Sequence, residues 1–258
     1  MNPALVGPIS VLAYCAAAGA FAAGRRAAGM LITVLALCGH ASVLWPLVVT
    51  TQGVNFGVVN AASIVGWCIA SLVLALNVQR PLESLAAIIL PVTGLALGLD
   101  LWLPSPPVSE HTLPLGMYLH IALSIVAYSL IAIAATQALL LMLATRQLRQ
   151  HHPIMHFLPP LPTMEAVMYQ LTAFAFGLLT VSLALGAAFV EDVRAQHLSH
   201  KIVFSALAWG VFAVVIFGRW RWDWRGRHGV KYVLSGFTLL ALAFFGTKFV
   251  LEIVLHRA

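Results

Sequence analysis

The side chains best suited to chemistry in this sequence are its histidines. There are ten, and two of them stand inside long apolar runs. His40 lies in Cys38-Gly39-His40-Ala41-Ser42. His120 lies in Leu115-Gly116-Met117-Tyr118-Leu119-His120, with Ser124 at i+4 and Tyr128 two turns on, a polar stripe along one helical face. A neutral imidazole in such surroundings can ligate a heme iron, bind another metal or hydrogen-bond a neighbouring helix. For His120 the plainer alternative is a satisfied interfacial histidine beside packing residues Ser124 and Tyr128.

The remaining polar clusters have quieter readings. His197 and His200 fall in Glu191-Asp192-Val193-Arg194-Ala195-Gln196-His197-Leu198-Ser199-His200, where the acids can orient an imidazole or the whole segment can be a solvated loop. His151, His152 and His156 have no cysteine or carboxylate companions, so they read as polar loop residues and not as a metal site. Lys248 and Glu252, four apart on one helical face, can form a structural pair or, as the alternative, a proton relay. The run Arg219-Trp220-Arg221-Trp222-Asp223-Trp224-Arg225-Gly226-Arg227 alternates cations with indoles, as expected of a segment against anionic headgroups. Cys15, Cys38 and Cys68 show no CxxC spacing and are expected to be buried and inert. No paired carboxylates, nucleophile–base set or open metal triad assembles at one depth, so a non-enzymatic protein is expected.

These residues sit in a chain that is 61% apolar and 9% charged, against about 45–50% and about 25% in soluble domains. A helix needs about 20 apolar residues to cross the hydrocarbon core. The pattern predicts spans at about 4–23, 29–50, 57–78, 84–104, 116–143, 164–190, 201–218 and 231–255, punctuated by Gly24, Pro81, Pro104, Pro106, Pro107 and the Pro159-Pro160-Leu161-Pro162 run. The first run has no basic residue before it and no small-residue cleavage site, so it reads as a retained helix. Residues 1–258 are thus expected to form a single membrane domain in the lipid bilayer, an all-α, polytopic membrane helix bundle of about eight transmembrane helices.

Basic residues are retained in the cytoplasm. Ten fall in the first, third, fifth and seventh loops: Arg25, Arg26, Arg80, Arg146, Arg149, Arg219, Arg221, Arg225, Arg227 and Lys231. The other side holds only Arg194, Lys201, Lys248 and Arg257, together with most of the acids. The N-terminus and C-terminus therefore lie outside. The net charge of +6 is topological, and nucleic acid is not a partner.

Several segments carry a family likeness: Asn55-Phe56 through Ser63 to Trp67; Leu119-His120-Ile121 with Ser124 and Ala127-Tyr128; Met164-Glu165 to Gly186-Ala187; Ser199-His200-Lys201 to Ala208-Trp209; and Trp224-Arg225-Gly226-Arg227 with Phe245-Gly246-Thr247-Lys248-Phe249-Val250-Leu251-Glu252. Over nearly its whole length the chain resembles the cytochrome c assembly superfamily of CcsA, CcmC and HemX-like bacterial inner-membrane proteins, within it the YpjD branch. The resemblance implies an outer-surface heme held by two outer histidines beneath a tryptophan-rich loop, and in some members a second heme within the membrane. His120 matches the first outer histidine and His40 the first intramembrane one. His256 stands one residue beyond the place of the second outer histidine, and His200 remains from the covering loop.

The chain also departs from the family pattern. Residues 191–200 contain no tryptophan, and Phe217 stands where the partner intramembrane histidine belongs. The Trp222-Asp223-Trp224 string follows the seventh span and faces the cytoplasm, so it cannot cover an outer heme. The resemblance implies a heme-associated protein in cytochrome c assembly, heme delivery or heme-pathway regulation, with cytochrome c assembly or other membrane proteins as partners and without full heme-lyase activity. Two alternatives remain: a transporter or accessory for a metal ion or small anion, using His40, Lys248 and Glu252, and a heme-free structural or regulatory subunit.

Overall fold

Inside a bilayer no water satisfies backbone amides, so an apolar run of spanning length folds as a helix. The structure, a computed structural model, describes residues 3–50, 53–55, 57–103, 114–150, 158–189 and 199–246. The chain clusters into two compact units, Met1–Thr112 with Met155–Pro159, and Leu113–Ile154 with Pro160–Ala258.

The first unit holds α1 (Pro3–Ala22), α2 (Arg26–Val48), α3 (Val58–Gln79) and α4 (Glu83–Trp102). Helix α1 packs along α2 and α4, and α3 packs on α4 and α2. Between α2 and α3 the chain turns through two short antiparallel strands, β1 (Val49–Thr50) and β2 (Gly53–Val54), with Val49 opposite Val54. Gly24 makes the α1–α2 turn at φ +70°, a conformation that favours glycine.

The second unit holds α5 (Leu115–Arg149), α6 (Leu161–Phe189), α7 (Ser199–Trp222) and α8 (Arg227–Ala241), which continues as a π turn over Leu242–Gly246. Helix α5 packs along α6 and α8, and α7 packs on α6 and α8. Seven described helices are long and apolar enough to cross a membrane. Their ends lie within a few residues of the sequence-predicted spans, with one exception. Helix α5 runs on to Arg149, 35 residues in all, about 52 Å at 1.5 Å per residue and well beyond the hydrocarbon thickness. The eighth span starts earlier than expected, at Arg227, and the part of it beyond Gly246, with Lys248 and Glu252, lies outside the described residues.

Burial is inverted relative to a soluble bundle. Leu5, Leu12, Leu31, Leu95 and Leu115 are exposed, whereas Ser10, His40, Asn60, Ser63, Asn77, Asp100, Gln137 and Ser182 are buried. Such a surface suits lipid. Trp45 and Trp102 are exposed near the outer ends of α2 and α4, and Trp220 and Trp222 near the inner end of α7, the depths at which indoles anchor to headgroups. The cysteines depart from expectation. All three are free, but Cys15 and Cys38 are exposed and Cys68 is half-buried, because each falls on a face that its helix turns outward.

The orientation is open to direct test. In a background with Cys15, Cys38 and Cys68 replaced by alanine, a membrane-impermeant thiol reagent should label Trp102→Cys in intact spheroplasts and label Arg25→Cys only after permeabilisation. The opposite pattern would invert the map.

Candidate functional site

The outer ends of α5 and α6 meet through small residues. Gly116, His120 and Ser124 recur every four positions on α5, and Ser182, Gly186 and Phe189 form the facing row on α6. A Cβ at Gly116 would strike the Phe189 ring, and one at Gly186 would come within 2.8 Å of His120 Cε1. Gly116 thus admits the Phe189 ring, and only with hydrogen at Gly186 can the half-buried His120 ring lie where it does against α6. His120 Nδ1 lies 2.6 Å from the backbone oxygen of Ser182. The Ser182 hydroxyl is 3.1 Å from the same nitrogen, 3.2 Å from the His120 carbonyl and 2.6 Å from the Ser124 hydroxyl.

This geometry settles the tautomer. A carbonyl only accepts, so Nδ1 carries a hydrogen; in the neutral ring this leaves the lone pair on Nε2, which makes no hydrogen bond to a described residue. Metal-binding histidines are usually held in this way, one ring nitrogen donating to a carbonyl while the other faces the metal. Tyr128 does not join the stripe. Eight residues beyond His120 it is turned by about 80° around the helix, with its ring 5.6 Å from that of Phe244 and its hydroxyl beside Ser205.

His40 has the contrary environment. It is fully buried in the first unit, its Nδ1 3.1 Å from the Tyr14 hydroxyl and its Nε2 3.0 Å from Ser63 Oγ. The Tyr14 ring meets the imidazole edge-on, with centroids 5.8 Å apart. Both nitrogens are engaged and no face of the ring is open, so His40 in this arrangement does not fit iron ligation. His200 belongs to the first turn of α7, but its side chain lies outside the described residues, as do His256, His197 and the histidines at 151, 152 and 156.

The tryptophan string at the inner end of α7 is a built corner as well as an anchor. Asp223 (φ +47°) and Gly226 (φ +58°) reverse the chain. Glu165 of α6 accepts the Gly226 N–H at 2.9 Å, and the Tyr169 hydroxyl donates to the Trp224 carbonyl at 2.8 Å. Arg219 lies over the Tyr169 ring, 4.9 Å from its centroid, and reaches Asp223 at 2.9 Å. Trp224 stacks between Trp222 and Tyr232. Hydrogen bonding from Arg225, supported by the charges of Arg225 and Arg219, holds the Asp223 carboxyl below the usual carboxylate range. Trp220 and Trp222 stay exposed, as a headgroup-facing segment requires.

Sequence reasoning missed Tyr14, Ser63 and Ser182 as partners of the two histidines, and Asp100 as the neighbour of Ser63. Ser182 lies 62 positions from His120, and only the register of α5 on α6 pairs them. Asp100 was legible as an acid inside the apolar run Leu97-Gly98-Leu99-Asp100-Leu101-Trp102.

A bundle of eight described helices, seven of them long and apolar enough to cross a membrane, defines the class, that of multi-pass helical membrane proteins. The chain belongs to the cytochrome C assembly protein family, whose model matches residues 28–255. It is 28% identical over 234 residues to the inner membrane protein YpjD of Escherichia coli K12, covering 90% of this chain and 89% of that protein. It is also 28% identical over 256 residues to an uncharacterized 28.8 kDa protein in a nifR3-like 5'region of Azospirillum brasilense, covering 96% and 94%. Over 88 residues, 33% of this chain and 26% of the other, it is 26% identical to the cytochrome c biogenesis protein CcsA of Synechocystis. No solved structure matches it. The protein is a multi-pass protein of the bacterial inner membrane.

The inner corner yields a stability comparison. At Gly226 (φ +58°, ψ −122°) a side chain is strained, so Gly226→Ala should cost roughly 1–3 kcal/mol. Tyr169→Phe removes one hydrogen bond, worth about 0.5–1.5 kcal/mol. Thermal unfolding in detergent should show both midpoints lowered, the glycine variant the more.

Proposed function

We propose that the protein is a non-enzymatic, heme-associated membrane protein that acts in cytochrome c assembly, heme delivery or control of the heme pathway, with His120 as an axial ligand. The observation that carries this reading is the donation of the His120 Nδ1 hydrogen to the Ser182 carbonyl, which leaves Nε2 ready for a metal. The name of the CcsA relative, a cytochrome c biogenesis protein, points the same way. His256 stands one residue beyond the family's place for the second outer ligand, and His200 is a further imidazole on that side. His40 is left out of the ligand set because both of its nitrogens are hydrogen-bonded.

Bound heme supplies an iron centre with axial positions and a one-electron couple. The chain's own part is to hold and orient an imidazole. The Ser182 carbonyl fixes the ring, the Ser124 and Ser182 hydroxyls tie α5 to α6 beneath it, and Gly186 leaves the space it occupies. The segment between α6 and α7 has no tryptophan to stack on a porphyrin, and the reading is therefore of a carrier or sensor and not of a lyase.

Absorption spectroscopy of the protein purified with hemin supplied tests the proposal. The wild type should show a Soret band, His120→Ala should lose it, and His40→Ala should keep it. Gly186→Ala, which crowds the ring, should weaken hemin binding by roughly 10–100-fold, whereas Ser182→Ala keeps the carbonyl and should bind nearly as wild type. A wild type without a Soret band that takes up no added hemin would overturn the reading.

A further inference from the structure

The first unit contains a row of buried polar groups that the heme reading does not use. Tyr14, His40, Ser63 and Asp100 come from four different helices and are all at most 5% exposed. Tyr14 bonds His40, and His40 bonds Ser63. The Asp100 carboxyl lies beside the Ser63 hydroxyl, yet neither of its oxygens has a hydrogen bond of proper geometry. With the orientation read from the loop charges, the outer ends are Pro3 of α1, Val48 of α2, Val58 of α3 and Trp102 of α4. At 1.5 Å per residue, Asp100 lies about 3 Å in from its outer end, Ser63 about 8 Å, His40 about 12 Å and Tyr14 about 17 Å. The four groups descend in order from the outer surface toward the midplane.

No described cation is placed to neutralise Asp100. Of the other titratable groups, α1 carries Cys15, α2 carries Arg26 and Cys38, α3 carries Cys68, and α4 carries Glu83. Cys15 and Cys38 are exposed on their own helices. Arg25, Arg26, Arg80 and Glu83 belong to the inner ends, where Arg26 donates to the carbonyls of Asn77 and Val78. Glu110 and His111 lie outside the described residues. An unpaired carboxylate at this depth is costly and marks a functional group. Asp100 also stands in the last turn of α4, where the helix dipole opposes an anion.

We propose that these four residues form a proton-binding relay in which the charge on Asp100 sets the tautomer of His40. With Asp100 ionised, Ser63 O–H donates to the carboxylate, His40 Nε2–H donates to Ser63 Oγ, and Tyr14 O–H donates to Nδ1. With Asp100 protonated, every bond reverses. The carboxylic acid donates to Ser63, Ser63 donates to Nε2, and Nδ1–H donates to the Tyr14 oxygen. Between the first state and the second, Asp100 gains one proton from bulk water, Tyr14 and Ser63 each keep one, and the single proton of His40 changes from Nε2 to Nδ1. One proton is gained, His40 stays neutral throughout, and nothing is oxidised or reduced. The hydroxyls make the relay reversible, since each both donates and accepts.

The test is 15N NMR of histidine-labelled full-length protein in lipid nanodiscs over a pH series, with the His40 signals assigned by their loss in His40→Gln. The His40 proton should move from Nε2 at high pH to Nδ1 at low pH. Asp100→Asn donates to Ser63 at every pH and should hold the Nδ1–H form throughout. Ser63→Ala should abolish the pH response, and Ser63→Thr, which keeps the hydroxyl, should retain it and control for folding. A His40 tautomer that ignores pH in the wild type, or that switches equally in Asp100→Asn, would overturn the relay. A switch driven by added sodium at constant pH would overturn it in favour of a cation site.

Discussion

The absence of water from the hydrocarbon layer governs this protein. A polar group there must find its partner within the protein, in the preceding turn of its own helix, as Thr33 and Thr172 do, or on another helix. Nearly every specific contact between helices obeys that demand. Tyr14 and Ser63 reach His40 from α1 and α3, Ser182 of α6 meets His120 and Ser124 of α5, and Glu165 and Tyr169 of α6 bind the turn between α7 and α8. Apolar side chains occur both on the outer surface and between the helices, and they give little preference for one neighbour over another, because lipid tails are as apolar as leucine. Polar contacts and the small residues that admit them therefore carry the register of the bundle.

Two histidines, one in each unit, show how the partner decides the chemistry. His120 meets a carbonyl, which accepts only, and its tautomer is fixed with one nitrogen open. His40 meets two hydroxyls, which serve in either direction, and its tautomer is free to change while both nitrogens stay engaged. The first arrangement suits a ligand and the second suits a mobile proton.

The helices were legible because their apolar runs are long and loop charges interrupt them. Where prediction and structure part, the cause is local. Helix α5 outlasts its apolar run because Thr145 to Arg149 continue a helix outside the hydrocarbon, and α8 begins at Arg227 because Gly226 supplies the left-handed turn before it. His120 was legible as an odd residue in an apolar run. Its acceptor was not, since a backbone oxygen leaves no mark in a sequence. The environment of His40 was equally hidden, for Tyr14 and Ser63 are individually ordinary, and even Asp100, an acid in an apolar run, gives no sign of its neighbours until four helices converge. The tryptophan string suggested a membrane surface, and Trp220 and Trp222 face one, but the alternation of residues gave no sign that Trp224 would be stacked and fastened to α6.

A carbonyl in a helix points along the axis toward the residue four places on, which for Ser182 is Gly186. That second residue decides whether anything other than the helix's own amide can reach the oxygen. No exchange of side chain at 182 can delete the acceptor, so the support for His120 is encoded at a distance of one turn by a residue with no functional group of its own. Sequence drift at position 182 is thereby uncoupled from the tautomer of His120, and inheritance of the site rests on an empty space.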